Sequence, residues 1–147
     1  MAETIDKDHM QIIDSASDYG EAIRTAAKPL ERDGYITDTY IDEMIEALEE
    51  HGPYIVLAEE FALPHARPSE AVKETALSLL TVKNGVDVKG HFVRLFIVLA
   101  AKDSTSHNRL LQGLAEFLME PKNIQDVIAC NTTDEIDHIL EERWNTT

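Results

Sequence analysis

The sequence predicts a layered α/β fold, in which a β-sheet is flanked by helices on both faces. Apolar residues with helical spacing occur towards both ends of the chain, and short apolar segments rich in β-formers lie between them. These middle segments are nearly continuous in their apolar character rather than alternating, which indicates strands that are buried on both faces. The layered α/β class satisfies both observations.

Two helices are predicted in the N-terminal third of the chain. Apolar residues recur at helical spacing between Ala22 and Leu30, and the pattern repeats between Tyr40 and Leu48. Gly34 interrupts the first pattern, and Gly52-Pro53 follows the second. The chain is therefore expected to begin with two successive helices.

Strands are predicted in the middle of the chain. The segments from Tyr54 to Ala58, from Ala76 to Val82 and from Phe92 to Ala101 are apolar and bounded by turn residues or charges. Their content of β-branched and aromatic residues favours strands over helices. Each of the three segments is therefore expected to form a strand.

Three helices are predicted after the last strand. Leu110 to Leu118 carries the helical pattern, which ends at Pro121, and a shorter helix is predicted from Ile124 to Ala129. Thr132 followed by Glu135 has the spacing of a capping box, which predicts the start of a last helix. Since no linker or repeat interrupts the chain, residues 1–147 are expected to form a single domain.

The charge of the chain excludes some partners. A formal net charge of -15 at pH 7 repels the phosphate backbone of nucleic acid and an anionic membrane surface. The same charge favours protein partners with a basic docking face. Alternatively, the charge only keeps the chain soluble. Nucleic acid is therefore not expected as a partner.

The predicted location is the cytoplasm. A single cysteine, Cys130, cannot form an internal disulfide, and no C-x-x-C pair is present to hold zinc. The first residues do not resemble a signal peptide, and the apolar run from Leu95 to Ala101 is too short to span a bilayer. Neither membrane insertion nor a bound cofactor is expected.

A histidine between two prolines is the first candidate for chemistry. In the stretch from Leu63 to Pro68, Pro64 and Pro68 restrict the backbone on both sides of His65. A histidine is substantially neutral at cytosolic pH and offers a lone pair to phosphorus, so a restrained imidazole suits group transfer. The alternative is a loop histidine that only bonds to a backbone group.

The second candidate lies where the last strand ends and a helix begins, in the stretch from Lys102 to His107. The first turn of a helix favours an anion through its free N–H groups and its dipole. Neutral His107 can donate an N–H to a phosphoryl group there, with Ser104, Thr105 and Ser106 as further donors. Alternatively, Asp103 or Ser104 only caps the helix.

These two stretches are expected to meet. Both follow buried strands, and loops at the carboxyl ends of adjacent strands face one crevice in α/β sheets. The other histidines lie in polar contexts without matching partners, and they are interpreted as surface or structural residues. They are His9, His51, His91 and His138.

The motifs resemble a known family. Gly52 to Ala58, then Ala62 to Pro68, then Ala100 to Asp103 followed by His107 are similar to the mannitol/fructose-type IIA domains of the bacterial phosphoenolpyruvate-dependent sugar phosphotransferase system, also called EIIA type 2. The resemblance extends from the first predicted helix to the last. It implies an α/β sandwich with a mixed sheet.

The resemblance also implies a function and its residues. His65 matches the phosphohistidine of the family, and His107 matches its second active-site histidine. The phosphoryl donor is then the phosphocarrier protein HPr, and the acceptor is a IIB component that serves a membrane IIC component. The transfer uses no metal.

Two departures indicate the branch. The family's arginine before the first strand is missing, since residues 47–50 read Ala-Leu-Glu-Glu, and the usual Gly-Asn-Gly run is replaced by Ala58-Glu59-Glu60. Gly-Pro-Tyr before the strand and His-Ala-Arg-Pro at the motif are more similar to the ascorbate-specific branch. In this interpretation Arg67 supplies the missing cation, and L-ascorbate is the expected substrate.

Two other functional classes are considered. A regulatory phosphoacceptor of the nitrogen type would use the same histidine to control partner proteins. A metal-dependent hydrolase would use His65, His107 and Asp103, but no H-x-x-x-H or carboxylate-rich motif supports it.

Overall fold

The computed structural model describes residues 5–103 and 108–144, and these form a five-stranded sheet with helices on both faces. The strands are β1 (Met10–Ile13), β2 (Val56–Ala58), β3 (Glu60–Ala62), β4 (Ala76–Val88) and β5 (His91–Ala100). The helices are α1 (Tyr19–Arg32), α2 (Asp38–His51), α3 (Asn108–Leu118), α4 (Pro121–Ala129) and α5 (Thr133–Arg143), and a 3₁₀ turn (Lys7–His9) precedes β1. The predicted fold class is confirmed.

The sheet is mixed, with strand order β1-β4-β5-β3-β2. β4 and β5 form an antiparallel hairpin, whereas β1 pairs with β4 and β3 pairs with β5 in parallel. Because β3 and β5 run in the same direction as neighbours, the segments that follow them leave the sheet at the same edge. This topology brings the histidine loop after β3 next to the end of β5.

The central strands are buried on both faces. Leu79 and Leu80 are neighbours in β4 and point to opposite faces, yet both are fully buried. Leu80 belongs to the core that α1 and α2 cover, and Leu79 to the core that α3, α4 and α5 cover. Each such leucine contributes about 1.5–3 kcal/mol relative to an exposed one.

A proline inside α1 leaves one carbonyl without its helical donor. Pro29 has no N–H to give to the carbonyl of Thr25, four residues earlier. The side-chain amide of Gln11 in β1 donates to that oxygen at 2.6 Å. The helix therefore continues through the proline while its broken hydrogen bond is replaced from the sheet.

The helix boundaries follow ordinary end signals. The capping box of Thr132 and Glu135 is formed at the start of α5, as predicted. α4 begins at Pro121 rather than at Ile124, because proline fits the first turn of a helix, where its missing N–H has no helical partner. None of the helices in the two described ranges is long and apolar enough to cross a bilayer.

The expectation that the chain begins with a helix is wrong, because β1 precedes α1. β1 has only four residues and pairs with β4, about seventy positions later in the chain. No pattern among neighbouring residues therefore predicts this strand. β3 was also not predicted, since it has only three residues and begins at an acidic one, Glu60. Both strands form because the edges of the hairpin offer them hydrogen-bond partners.

Candidate functional site

His65 lies on the wall of a cavity of about 690 Å³ at the edge where β3 and β5 end. Four parts of the chain form this cavity. They are one face of α2, Tyr54 before β2, the loop from His65 to Ser69, and Leu99 and Ala101 at and just after the end of β5. β3 and β5 are parallel neighbours in the sheet, so the loop that follows β3 lies next to the end of β5.

The α2 wall carries most of the charge. Its lining residues recur three and four positions apart, so they lie on one face of the helix. They are Glu43, Glu46, Ala47, Glu50 and His51. Glu43 accepts a hydrogen bond from the hydroxyl of Ser69 at 2.8 Å, which connects this wall to the histidine loop.

The tautomer of His65 follows from its backbone contact. Nδ1 lies 2.6 Å from the carbonyl oxygen of Leu63. A carbonyl oxygen can only accept, so Nδ1 carries the hydrogen, and in the neutral ring Nε2 keeps the lone pair. The imidazole is therefore oriented by its own loop, with Nε2 as the available nucleophile.

Tyr54 holds the same histidine from a second side. Its ring meets the imidazole of His65 edge to face, with centroids 5.1 Å apart and an interplanar angle of 82°. Its hydroxyl donates a hydrogen bond to the backbone carbonyl of His65. Partial burial raises the pKa of Tyr54, so the hydroxyl keeps its proton at neutral pH. One side chain thus restrains both the ring and the backbone of His65.

Tyr40 connects the loop to the sheet from within the core. Its hydroxyl accepts a hydrogen bond from the Ala66 N–H at 3.1 Å and lies 3.1 Å from the carbonyl oxygen of Leu99, to which it can donate. The ring is fully buried, and burial raises the pKa of Tyr40 to about 12. A backbone hydrogen bond from Leu99 to Pro64, at 3.0 Å, joins the same two segments.

The positive charge at the cavity comes from few residues. Arg67 is exposed and lines the cavity beside His65. Across residues 5–103 and 108–144, no group of three or more His, Cys, Asp or Glu side chains is placed to hold a metal ion. Apart from His65 itself, Arg67 and His51 are the side chains with N–H groups on the described walls of the cavity, so they are the ones that an anion there would meet.

The predicted site residues are brought together only in part. His65 and Arg67 share the cavity, and Ala101 at the end of β5 lines it too. Ser104, Ser106 and His107 lie outside the described residues, so their roles remain predictions.

Sequence reasoning gave no site role to Tyr40 or Tyr54. Tyr40 was part of an apolar helical pattern that indicated only a core position. Tyr54 stood in the Gly-Pro-Tyr motif that supported the branch assignment, but no spacing rule connects it with His65. Only the fold places both hydroxyl groups against the histidine loop.

Comparisons with known proteins place the chain among relatives of one family. The family model for the phosphoenolpyruvate-dependent sugar phosphotransferase system, EIIA 2, matches residues 3–143. The mannitol-specific cryptic phosphotransferase enzyme IIA component of Escherichia coli is 32% identical over 133 residues, covering 89% of this chain and 90% of that protein. The ascorbate-specific PTS system EIIA component of Shigella boydii is 28% identical over 130 residues, covering 86% and 84%.

Solved structures have the same fold. The solution structure of the mannitol-specific cryptic enzyme IIA CmtB from Escherichia coli superposes with a TM-score of 0.87 at 30% identity, covering 94% of this chain and 95% of that one. A complex of enzyme IIAMTL and phosphorylated enzyme IIBMTL from Escherichia coli gives 0.79 at 23% identity, covering 95% and 98%. At 23% identity, the comparison with the complex shows only that the two chains share a fold.

Proposed function

The chain belongs to the EIIA 2 family of the phosphoenolpyruvate-dependent sugar phosphotransferase system, and on that premise we propose that it carries a phosphoryl group on Nε2 of His65. In this proposal it works in the cytoplasm as a single phosphocarrier domain. It accepts the group from phospho-HPr and passes it to a IIB component. His107, Arg67, Ser104 and Ser106 hold the phosphoryl oxygens.

The observation that carries the proposal is the hydrogen bond from His65 Nδ1 to the carbonyl of Leu63. It fixes the tautomer in which Nε2 is unprotonated, and this is the form that attacks phosphorus. As positive charge develops on the ring during attack, the same carbonyl stabilises it through the Nδ1 hydrogen.

The transfer needs no further chemistry from the protein. The P–N bond to the donor imidazole breaks as the bond to His65 Nε2 forms, and the donor ring leaves with the bond's electron pair. Catalysis then depends on position and on charge stabilisation. The contacts from Tyr40 and Tyr54 hold the loop in place, so the imidazole is already oriented when a partner docks.

The proposed partners fit the charge of the cavity rim. Three glutamates of α2 line the cavity, and the whole chain carries a formal net charge of -15. A partner with a basic face around its own histidine or cysteine would be steered to this surface. The complex of a relative with phosphorylated IIB supports a IIB acceptor for this fold.

L-ascorbate is the substrate that we propose for the associated transporter. The Gly52-Pro53-Tyr54 and His65-to-Pro68 motifs support it through their resemblance to the ascorbate-specific branch. Relatives named for ascorbate and for cryptic mannitol transport have similar identities, 28% and 32%. Similarity alone therefore does not separate the two substrates, and a transfer assay is needed.

Labelling tests the phosphocarrier role. Purified chain is incubated with HPr, the first enzyme of the system and radioactive phosphoenolpyruvate. We expect an acid-labile label on His65 that His65→Ala abolishes, while His138→Ala, which changes an exposed histidine on α5, keeps it. Unchanged label on His65→Ala would refute the assignment of the phosphorylated residue.

Transfer to partners tests the substrate. The labelled chain is mixed separately with a IIB component of an ascorbate system and with one of a cryptic mannitol system. We expect faster loss of label to the ascorbate IIB. Preferential transfer to the mannitol IIB would overturn the ascorbate proposal, and labelling without transfer to either would favour the regulatory alternative.

A further inference from the structure

We propose that His51 binds the phosphoryl group carried by His65, a role that rests on the proposed phosphocarrier function. His51 ends α2, and its side chain lines the same cavity as His65. Its polar sequence context indicates a surface or structural residue. The fold instead places it beside the candidate phosphorylation site.

A tyrosine ring contacts both histidines. Tyr54 meets His65 edge to face at 5.1 Å between centroids, and it meets His51 edge to face at 6.4 Å with an interplanar angle of 81°. Tyr54 is itself held by its hydrogen bond to the backbone of His65. The position of the His51 ring is therefore tied to the position of the His65 ring through one restrained side chain.

The N–H groups of His51 have no competing partner. Among the described residues the His51 side chain makes its ring contact with Tyr54 and no hydrogen bond or ion pair. The residue is exposed, so its removal leaves no buried group unsatisfied. A purely structural role would therefore rest on the ring contact with Tyr54 alone.

The negative charge of the cavity wall calls for a donor that can bind a phosphoryl group. A phosphoryl group on His65 brings about two negative charges close to the α2 wall, which already carries Glu43, Glu46 and Glu50. An imidazole N–H can donate a hydrogen bond to a phosphoryl oxygen, whereas the ionised carboxylates of that wall can only accept. His51 is the one residue of the α2 lining whose side chain offers an N–H donor.

The sequence around His51 supports this role. No arginine occurs in residues 47–50, directly before it, and Arg67 lines the cavity from the histidine loop rather than from α2. His51 and Arg67 together would contact a phosphoryl group from two different elements of the fold. Such paired donors orient the group for transfer as well as stabilise its charge.

Substitutions at His51 test the proposal in the full-length chain. Single-turnover rates are measured from phospho-HPr to the chain, and from the chain to its IIB component, for His51→Ala, His51→Gln and His51→Arg. We expect His51→Ala to slow at least one of the two steps about tenfold, because a charge-assisted hydrogen bond is lost. His51→Arg should recover most of the rate, and His51→Gln should fall between them.

Two controls separate this role from a structural one. His138→Ala removes another exposed histidine, on the opposite face of the sheet, and should keep the wild-type rates. Urea unfolding midpoints of all four variants should match that of the wild-type chain. In NMR spectra, phosphorylation of His65 should change the chemical shifts of the imidazole nitrogens of His51 more than those of His138.

The outcomes are distinct. Wild-type rates in His51→Ala, or equal loss in His51→Ala and His51→Arg, would overturn the role of His51 while leaving the phosphocarrier function intact. Failure of phospho-HPr to label the wild-type chain would overturn the phosphocarrier function itself, and the role of His51 with it.

Discussion

Replacing Tyr40 with phenylalanine removes a buried hydroxyl that joins the histidine loop to the end of β5. The hydroxyl accepts from the Ala66 N–H and is placed to donate to the Leu99 carbonyl, both at 3.1 Å. The aromatic ring is fully buried and would keep its packing. The change therefore isolates two hydrogen bonds with almost no change in volume.

The expected cost follows from those two bonds. A typical intramolecular hydrogen bond contributes about 0.5–1.5 kcal/mol, and a buried group left unsatisfied costs about 1–3 kcal/mol. The Ala66 N–H and the Leu99 carbonyl both lose their partner, although Ala66 lies partly exposed and can turn to water. We expect the free energy of unfolding to fall by about 1–3 kcal/mol.

The effect on transfer should be larger than the effect on stability suggests. The hydroxyl holds the residue next to His65, and misplacing a reacting group by about 1 Å can cost about a hundredfold in rate. We expect phosphorylation of Tyr40→Phe by phospho-HPr to slow about ten- to hundredfold, at a temperature where the variant is still folded.

Urea unfolding and single-turnover phosphorylation measure the two effects. Tyr19→Phe is the matched control, because it removes a tyrosine hydroxyl whose hydrogen bond, to Glu49, is exposed. The control should differ little from wild type in either assay. If Tyr40→Phe matches Tyr19→Phe in both, the hydroxyl of Tyr40 does not hold the loop and the reasoning fails.

Three further predictions follow from the site and its surroundings. Arg67→Lys should slow transfer between His65 and both partners while leaving the unfolding midpoint unchanged, and Arg67→Ala should be slower still, because the charge or its two-donor geometry is lost; stopped-flow transfer rates measure this. His107→Ala should still accept phosphate, but transfer it about 10²–10³ times more slowly in at least one direction. If its transfer rates equal those of the wild-type chain in both directions, His107 is not part of the site. Hydrogen bonds from Arg32 and His9 hold the pKa of Asp33 well below its usual range, so its stabilising effect is present above pH 4 and declines as the pH falls further. Asp33→Asn should accordingly lower the urea midpoint at pH 7, and the difference from wild type should shrink at pH 3.

Much of the architecture could be predicted because it depends on local patterns. The helical spacing in α1 and α2 and the capping box at Thr132 are properties of residues close in sequence, and they appear where predicted. The continuous apolar character of β4 and β5 indicated burial on both faces, which Leu79 and Leu80 show. His65 stood out because two prolines restrain its backbone.

The partners of that histidine depend on contacts between distant segments. Tyr40 lies 26 positions from Ala66 and 59 from Leu99, and its hydroxyl meets both only because the sheet brings β3 and β5 together. β1 likewise exists as a strand because β4 offers it an edge. The sequence by itself determined the helices, the central strands and the restrained His65, since these follow from local spacing. Only the tertiary structure decided that Tyr54 contacts His65, that Tyr40 holds the residue after it and that His51 lines the same cavity, because parallel pairing and helix packing, rather than neighbouring residues, set those distances.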